Sequence, residues 1–348
     1  MKPGFLITVI VLSAILTMAK AQNANQKTER VLTIKGQQVT GVSVSSEGRI
    51  FANFPRWRAN VDNAVIEVTA NGSYHPYPTK TWNRWSPGSE VSDSVFIAVQ
   101  SVLAFEEKLY VLDTRNPLWK GVVDAPRIFV FNLKDNVLED ILVLTEGSYE
   151  TQSYTNDLRI DKKHNCIYIT DSNRPALIVY DLKRHQSRRV LAGHFSTTAE
   201  TDHLSIDGKK WGNKPSHADG IALNLKNGRL YYHALTGYTL YSVATEILSK
   251  GTEAEIERSV KKEKITPAPD GMIFDGKGNL YMGDLEHHKI VYLKPSGDMG
   301  TLYRGEDAGW ADTFSIYNGY LYFTNSRINE AKGDVSELGF TISKIKLP

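Results

Sequence analysis

Apolar residues along this chain come in short runs, each opened by an acidic or polar residue and closed by a Gly-containing turn. The clearest example is Asp270-Gly271-Met272-Ile273-Phe274, a turn through Gly276 and Gly278, and then Leu280-Tyr281-Met282-Gly283-Asp284. Gly supplies the positive φ that a tight antiparallel hairpin requires, and runs of aliphatic and aromatic residues bounded by such turns suit buried strands. The same grammar recurs at Asp219 to Leu223 with Gly228 to Tyr232, at Asp157 to Asp161 with Cys166 to Ile169, and at Asp312 to Ile316 with Gly319 to Phe323. Looser copies run from Ser101 to Val111 and from Thr40 to Phe51.

Anchored on the aromatic of each second strand, the copies sit at Phe51, Tyr110, Tyr168, Tyr231, Tyr281 and Tyr322, at steps of 59, 58, 63, 50 and 41 residues. Third strands follow, as in Arg127 to Phe131, Ala176 to Tyr180, Thr239 to Val243 and Lys289 to Leu293. Blade-sized repeats of roughly 40–50 residues with loop insertions mark a β-propeller. The fold class expected is all-β, a six-bladed β-propeller. Val31-Leu32-Thr33-Ile34 and Phe340 to Leu347 lack local partners, so pairing them within one blade would close the ring and remove its open edges. One exception to strand and turn is Thr252 to Val260, where Thr252 and Glu255 make a capping box and Ile256 and Val260 an apolar stripe, a short inserted helix.

Composition changes this picture little. The 41 basic residues against 39 acidic ones contain no basic block, which argues against nucleic acid as a partner. Residues 1–21 read as an export leader, with Lys2, an apolar run from Phe5 to Met18 and the small-x-small Ala19-Lys20-Ala21. That run is short of the roughly 20 residues that span a bilayer. The expected organisation is a leader over 1–21, a flexible segment over 22–30 and a single propeller over 31–348, exported to the periplasm or the medium, and monomeric. The lone Cys166 excludes an internal disulfide and fits a buried strand position.

In an antiparallel hairpin the start of the first strand lies level with the end of the second, so two polar rings fall on one rim. Thr40, Ser101, Asp157, Asp219, Asp270 and Asp312 form an inner ring; Asn53, Asp113, Asp171, His233, Asp284 and Asn325 form an outer one. Strand-end Asp and Asn commonly cap turn N–H groups, the reading that best suits the outer ring. Carboxylates gathered near one axis must share protons or a cation. Asp270, Asp219 and His217 are therefore the candidate proton-transfer groups, and Asp157, Asp312, Trp310 and His233 the candidate ligand-binding groups. Calcium held by Asp270, Asn156 and Asp219 is one counter-charge, and a ligand amine beside Trp310 another. Internal pairing by Arg159, Arg327 or His217 is the third, with Arg159 expected to point away from the axis.

The segments Ile50-Phe51-Ala52-Asn53-Phe54-Pro55-Arg56-Trp57, Leu109-Tyr110-Val111-Leu112-Asp113-Thr114, Leu177 to Asp181, Gly220 to Leu223 and Leu230 to Leu235 resemble the yellow and major royal jelly protein family. The resemblance implies a secreted six-bladed propeller, whose insect members are linked to dopachrome conversion, pigmentation or binding of biogenic amines. The chain lacks those members' paired cysteines, and its simple export signal suits a bacterial relative. A weaker similarity, through Pro269-Asp270-Gly271 and Asn156 or Asp157, is to the senescence-marker protein and gluconolactonase propellers. It implies a divalent metal at Asp270, although Thr40-Gly41 stands where those propellers carry a Glu. Three functions follow as expectations: a tautomerase-like isomerase acting on a small aromatic or amine-type molecule, a metal-dependent lactone hydrolase, and a ligand-binding propeller without catalysis.

Overall fold

A computed structural model describes residues 27–348; the leader expected over 1–21 and the start of the following segment lie outside the described residues. Six four-stranded antiparallel sheets surround a central axis. Five of them take consecutive strands from the axis outward: Gly41–Val44 to Tyr74–Pro76 (blade 1), Val99–Phe105 to Leu138–Val143 (blade 2), Thr155–Asp161 to Gln186–Val190 (blade 3), Ala218–Asn224 to Lys261–Ile265 (blade 4) and Met272–Phe274 to Met299–Arg304 (blade 5). The sixth is built from both chain ends, in the order Glu29–Lys35, Gly339–Lys346, Tyr320–Asn325, Ala311–Tyr317. Its outer pairing sets Leu32 opposite Ile342 and Ile34 opposite Phe340. The strand begins at Glu29, so the propeller takes in the end of the segment expected to be flexible.

The core lies between the blades. Phe51, Tyr77, Phe96, Phe129 and Phe131 fill the space between blades 1 and 2, and Tyr168, Leu177, Ile221 and Tyr232 that between blades 3 and 4. Cys166 is buried in the latter cluster, where burial pushes its thiol up to about 11. The capped helix is present as Glu253–Ser259 with its Thr252 and Glu255 capping box, and a second short helix, Thr245–Lys250, precedes it. Leu248 and Ile256 are fully buried in the same core, so this insertion is a packed part of the propeller wall.

One insertion escapes the sequence pattern. Between blades 3 and 4 the chain forms a separate hairpin, Leu204–Ile206 with Lys209–Trp211, whose exit through Gly212 to Ser216 borders the tunnel mouth.

Candidate functional site

The inner strands carry the site, and irregularities in them aim it. In blades 2, 3, 4 and 6 the register slips by one residue between Val99 and Ser101, Thr155 and Leu158, Ala218 and Ile221, and Ala311 and Phe314. Each such bulge leaves a residue unpaired and re-aims its side chain. The residues inside them are Gln100, Asn156 with Asp157, Asp219 with Gly220, and Asp312 with Thr313. The same structural device at the same level in four blades thus gathers polar side chains around the axis. Blade 5 contributes Asp270 just before its inner strand.

Asp219, Asp270 and Asp312 lie together at the floor of a cavity of about 550 Å³ at the tunnel mouth. Asp219 and Asp270 are hydrogen-bonded to each other, and the Trp310 indole N–H donates to Asp270 Oδ2 at 2.7 Å. Burial, and then the neighbouring Asp270, hold the carboxyls of Asp219 and Asp312 well above the usual range. Burial also pushes Asp270 up to about 7, against the opposing hydrogen bonds from Trp310 and Asp219. Asp219 and Asp270 are therefore a proton-sharing pair, with the raised Asp312 carboxyl beside them.

Asp157 stands apart from that set. It receives the Ser101 hydroxyl at 2.8 Å and pairs with Arg159 Nη1 at 2.9 Å, while Arg159 Nη2 reaches across to the Met272 carbonyl at 2.9 Å. Arg159 thus turns toward its own carboxylate and not away, contrary to expectation. Arg327 is engaged by Glu330 and the Gly339 carbonyl.

Aromatic rings build the walls. Trp119 stacks on Tyr154 at 3.8 Å between ring centres, and Trp57 on Trp119 at 6.0 Å. Trp119 and Leu118 both take left-handed backbone at φ 59°, a costly conformation for non-glycine residues, which the Leu118 N–H to Arg56 carbonyl bond helps to fix. The Trp57 indole donates to the Tyr154 hydroxyl, which donates to Gln100 Oε1 at 2.7 Å; Gln100 Nε2 then donates to Asn156 Oδ1 at 2.8 Å. Trp211 from the inserted hairpin closes the far side and meets Trp310 edge-to-face at 4.5 Å, and Lys214 of the same insertion lies 5.6 Å from the Trp119 ring centre.

Of the expected site residues, the structure brings Asp219, Asp270, Asp312 and Asn156 to the cavity. Trp310 is fully buried beneath it and touches the site through its N–H. His217 does not line the cavity: its Nδ1 accepts the Ala199 N–H at 3.1 Å. His233 is buried with Nδ1 on the Ala234 carbonyl and Nε2 on the Thr266 hydroxyl, and burial pushes it down to about 4. Three of the outer ring cap backbone N–H groups: Asp113 those of Ile97 and Ala98, Asp171 those of Tyr154, Asn173 and Arg174, and Asn325 that of Trp310. Among the described residues no three His, Cys, Asp or Glu side chains are grouped to hold a metal ion. Of the expected calcium ligands, Asp270 Oδ2 is taken by Trp310, Asp270 and Asp219 bond each other, and Asn156 Oδ1 accepts from Gln100.

The blade order, the closing strand and the polar rim describe a six-bladed propeller; the sequence comparison adds its lineage. A family model described as major royal jelly protein matches residues 102–345. The chain belongs to the major royal jelly protein family. Major royal jelly protein 3 of Apis mellifera is 25% identical over 233 residues, covering 64% of this chain and 42% of that protein. The chain spans about half the length of the curated relatives it matches. Among solved structures, a calcium-binding protein, regucalcin, of Agrobacterium tumefaciens superposes with a TM-score of 0.54 at 13% identity, over 93% of this chain and 96% of that one. A luciferin-regenerating enzyme gives 0.54 at 11% identity, over 90% and 92%. At such identities the likeness is one of fold, and what this royal jelly family member does has to be argued from its own residues.

Proposed function

We propose that this propeller binds a small aromatic or amine-type molecule at its tunnel mouth and isomerises it by moving a proton. The observation that carries the reading is the hydrogen-bonded pair of Asp219 and Asp270, with Asp270 titrating near 7, at the floor of a cavity walled by Trp57, Trp119, Tyr154 and Trp211. A carboxylate and a carboxylic acid side by side suit a tautomerisation. Asp270 as carboxylate takes a proton from one position of the ligand, Asp219 as acid returns one at another, and transfer across their hydrogen bond restores the starting state. No net proton and no electron is exchanged, so no further reactant is needed. The aromatic walls hold a planar ring by stacking and a cationic nitrogen by the negative ring faces. The leader read over residues 1–21 supports export as the setting in which this chemistry is used.

The test is turnover of dopachrome and of a panel of sugar lactones by the purified protein, each with and without EDTA, beside calorimetric titration with biogenic amines. Isomerisation of the quinone-type substrate that survives chelation is the expected result. Lactone hydrolysis lost with EDTA would replace this reading with a metal-dependent lactonase. Amine binding without any turnover would leave a ligand carrier.

A further inference from the structure

Behind the Pro55-Arg56-Trp57 segment lies a second cavity, of about 800 Å³, which shares no lining residue with the tunnel mouth. Trp57 belongs to the mouth and Arg56 to this other space. Arg56 is only 2% exposed, yet its charge is incompletely met. Nε donates to the Ile97 carbonyl at 2.9 Å and Nη1 to the Val61 carbonyl at 3.0 Å, while Nη2 is buried without an acceptor. Trp85 lines the same cavity, 6% exposed, with the guanidinium carbon 5.2 Å from its ring centre, and its indole N–H also lacks an acceptor.

Two neighbouring buried donors without partners, one of them charged, are costly, and native structures rarely leave such groups unmet. The rim adds charge of the same sign. Lys80 and Arg84 line the cavity and have no side-chain partner among the described residues, while Asp62 is the one acid in the lining. Asp113 also faces Arg56, but its oxygens receive the Ile97 and Ala98 N–H groups. Burial pushes Arg56 down to about 10, an effect that Asp113 and Asp62 only partly offset. The walls are set in advance: the Asn83 side chain accepts the N–H groups of Ala64 and Val65 and donates to the carbonyls of Tyr77 and Thr79, tying the two loops together.

We propose that this cavity is an anion site for a phosphate or sulfate group. Arg56 and Trp85 line it from behind, and Lys80 and Arg84 form its rim. Asp113 is paired with Arg115 Nε at 3.6 Å, so in the lining three cations against Asp62 leave two positive charges, which matches a doubly charged tetrahedral oxyanion. The site is independent of the tunnel-mouth chemistry, and the fate of that reading leaves it standing.

Calorimetric titration of the full chain with inorganic phosphate, sulfate and glycerol phosphate, at ionic strength held constant with chloride, tests it. Saturable binding is expected, with a parallel rise in thermal midpoint over the chloride control. Binding of glycerol phosphate as well as phosphate would identify a group carried on a larger molecule, and phosphate alone a free ion. Replacing both rim cations, Lys80→Ala with Arg84→Ala, should weaken phosphate at least tenfold while leaving the anion-free midpoint unchanged. Trp85→Phe, which keeps the ring and removes the donor, should weaken it several-fold. No saturable heat with any of the three anions, or a double variant that binds phosphate as tightly as the native protein, would overturn the proposal.

Discussion

At the scale of single residues, the acids at the tunnel mouth fix what pH does to this protein. Asp270 titrates at about 7 when folded, against an ordinary value of 3.8. Between those values the folded chain keeps a proton that the unfolded chain gives up. This group's contribution is therefore fully present below about pH 4 and is lost as pH rises through 7. Asp219 and Asp312, held high by the same burial, act in the same direction. The thermal midpoint of Asp312→Asn should accordingly exceed that of the native protein at pH 8 and approach it near pH 5, as read by calorimetry across that range. Asp270→Asn should keep the fold and lose about 10²- to 10⁴-fold in isomerase turnover, the span usual for removing a general base. Trp310 tunes this group, because its N–H favours the charged form of Asp270. In Trp310→Phe the acidic limb of the pH–rate profile should move to higher pH, a shift that simple loss of packing would not produce. These four carboxylates are legible in the sequence because Asp157, Asp219, Asp270 and Asp312 each precede an apolar strand at the same point of a repeat. Which of them share protons is not, since Asp157 is set apart by Arg159 and the Ser101 hydroxyl, contacts that the repeat pattern does not carry.

At the scale of elements, the bulges and glycines such as Gly220 and Gly271 decide how closely the blades converge. A Cβ on Gly220 would lie 2.6 Å from the Asp270 carbonyl oxygen, and one on Gly271 2.6 Å from that of Asp312. Backbone cannot yield as a flexible side chain does, so Gly271→Ala should lower the unfolding free energy read from denaturant titration by the ~1–3 kcal/mol typical of overpacking. Gly276, on the hairpin turn of the same blade, has nothing within 4 Å of that position, and Gly276→Ala should stay within about 0.5 kcal/mol of the native protein. The repeat grammar places strands well because each copy is an independent local pattern. It is silent on the hairpin ending in Trp211, which interrupts the repeat and follows no period, although its Trp211-Gly212-Asn213-Lys214-Pro215 run carries turn chemistry beside an aromatic. His217 and His233 mislead for the opposite reason. Both stand at rim level in the sequence, but hydrogen bonds with Ala199, Ala234 and Thr266 fix their rings away from the cavity.

At the scale of the whole molecule, the ring has no independent end. The strand Glu29–Lys35 covers the edge of Gly339–Lys346 and buries Leu32 and Ile34, side chains worth ~1.5–3 kcal/mol each when fully buried. Deleting residues 29–35 should lower the thermal midpoint and, by baring an unpaired strand edge, cause concentration-dependent association visible in light scattering. The acidic floor of the tunnel mouth should survive such a deletion less well than the clusters between blades 2, 3 and 4, because Asp312 belongs to the opened blade and Trp310 leads into it.

The shared sixth blade also sets a timetable. Its outermost strand is synthesised first and its neighbour last, about 300 residues later. At ~5–20 residues per second that gap lasts from roughly fifteen seconds to a minute, during which blades 1 to 5 can form but the leading strand has nothing to pair with. Birth order and assembly order are thus opposed at this one joint.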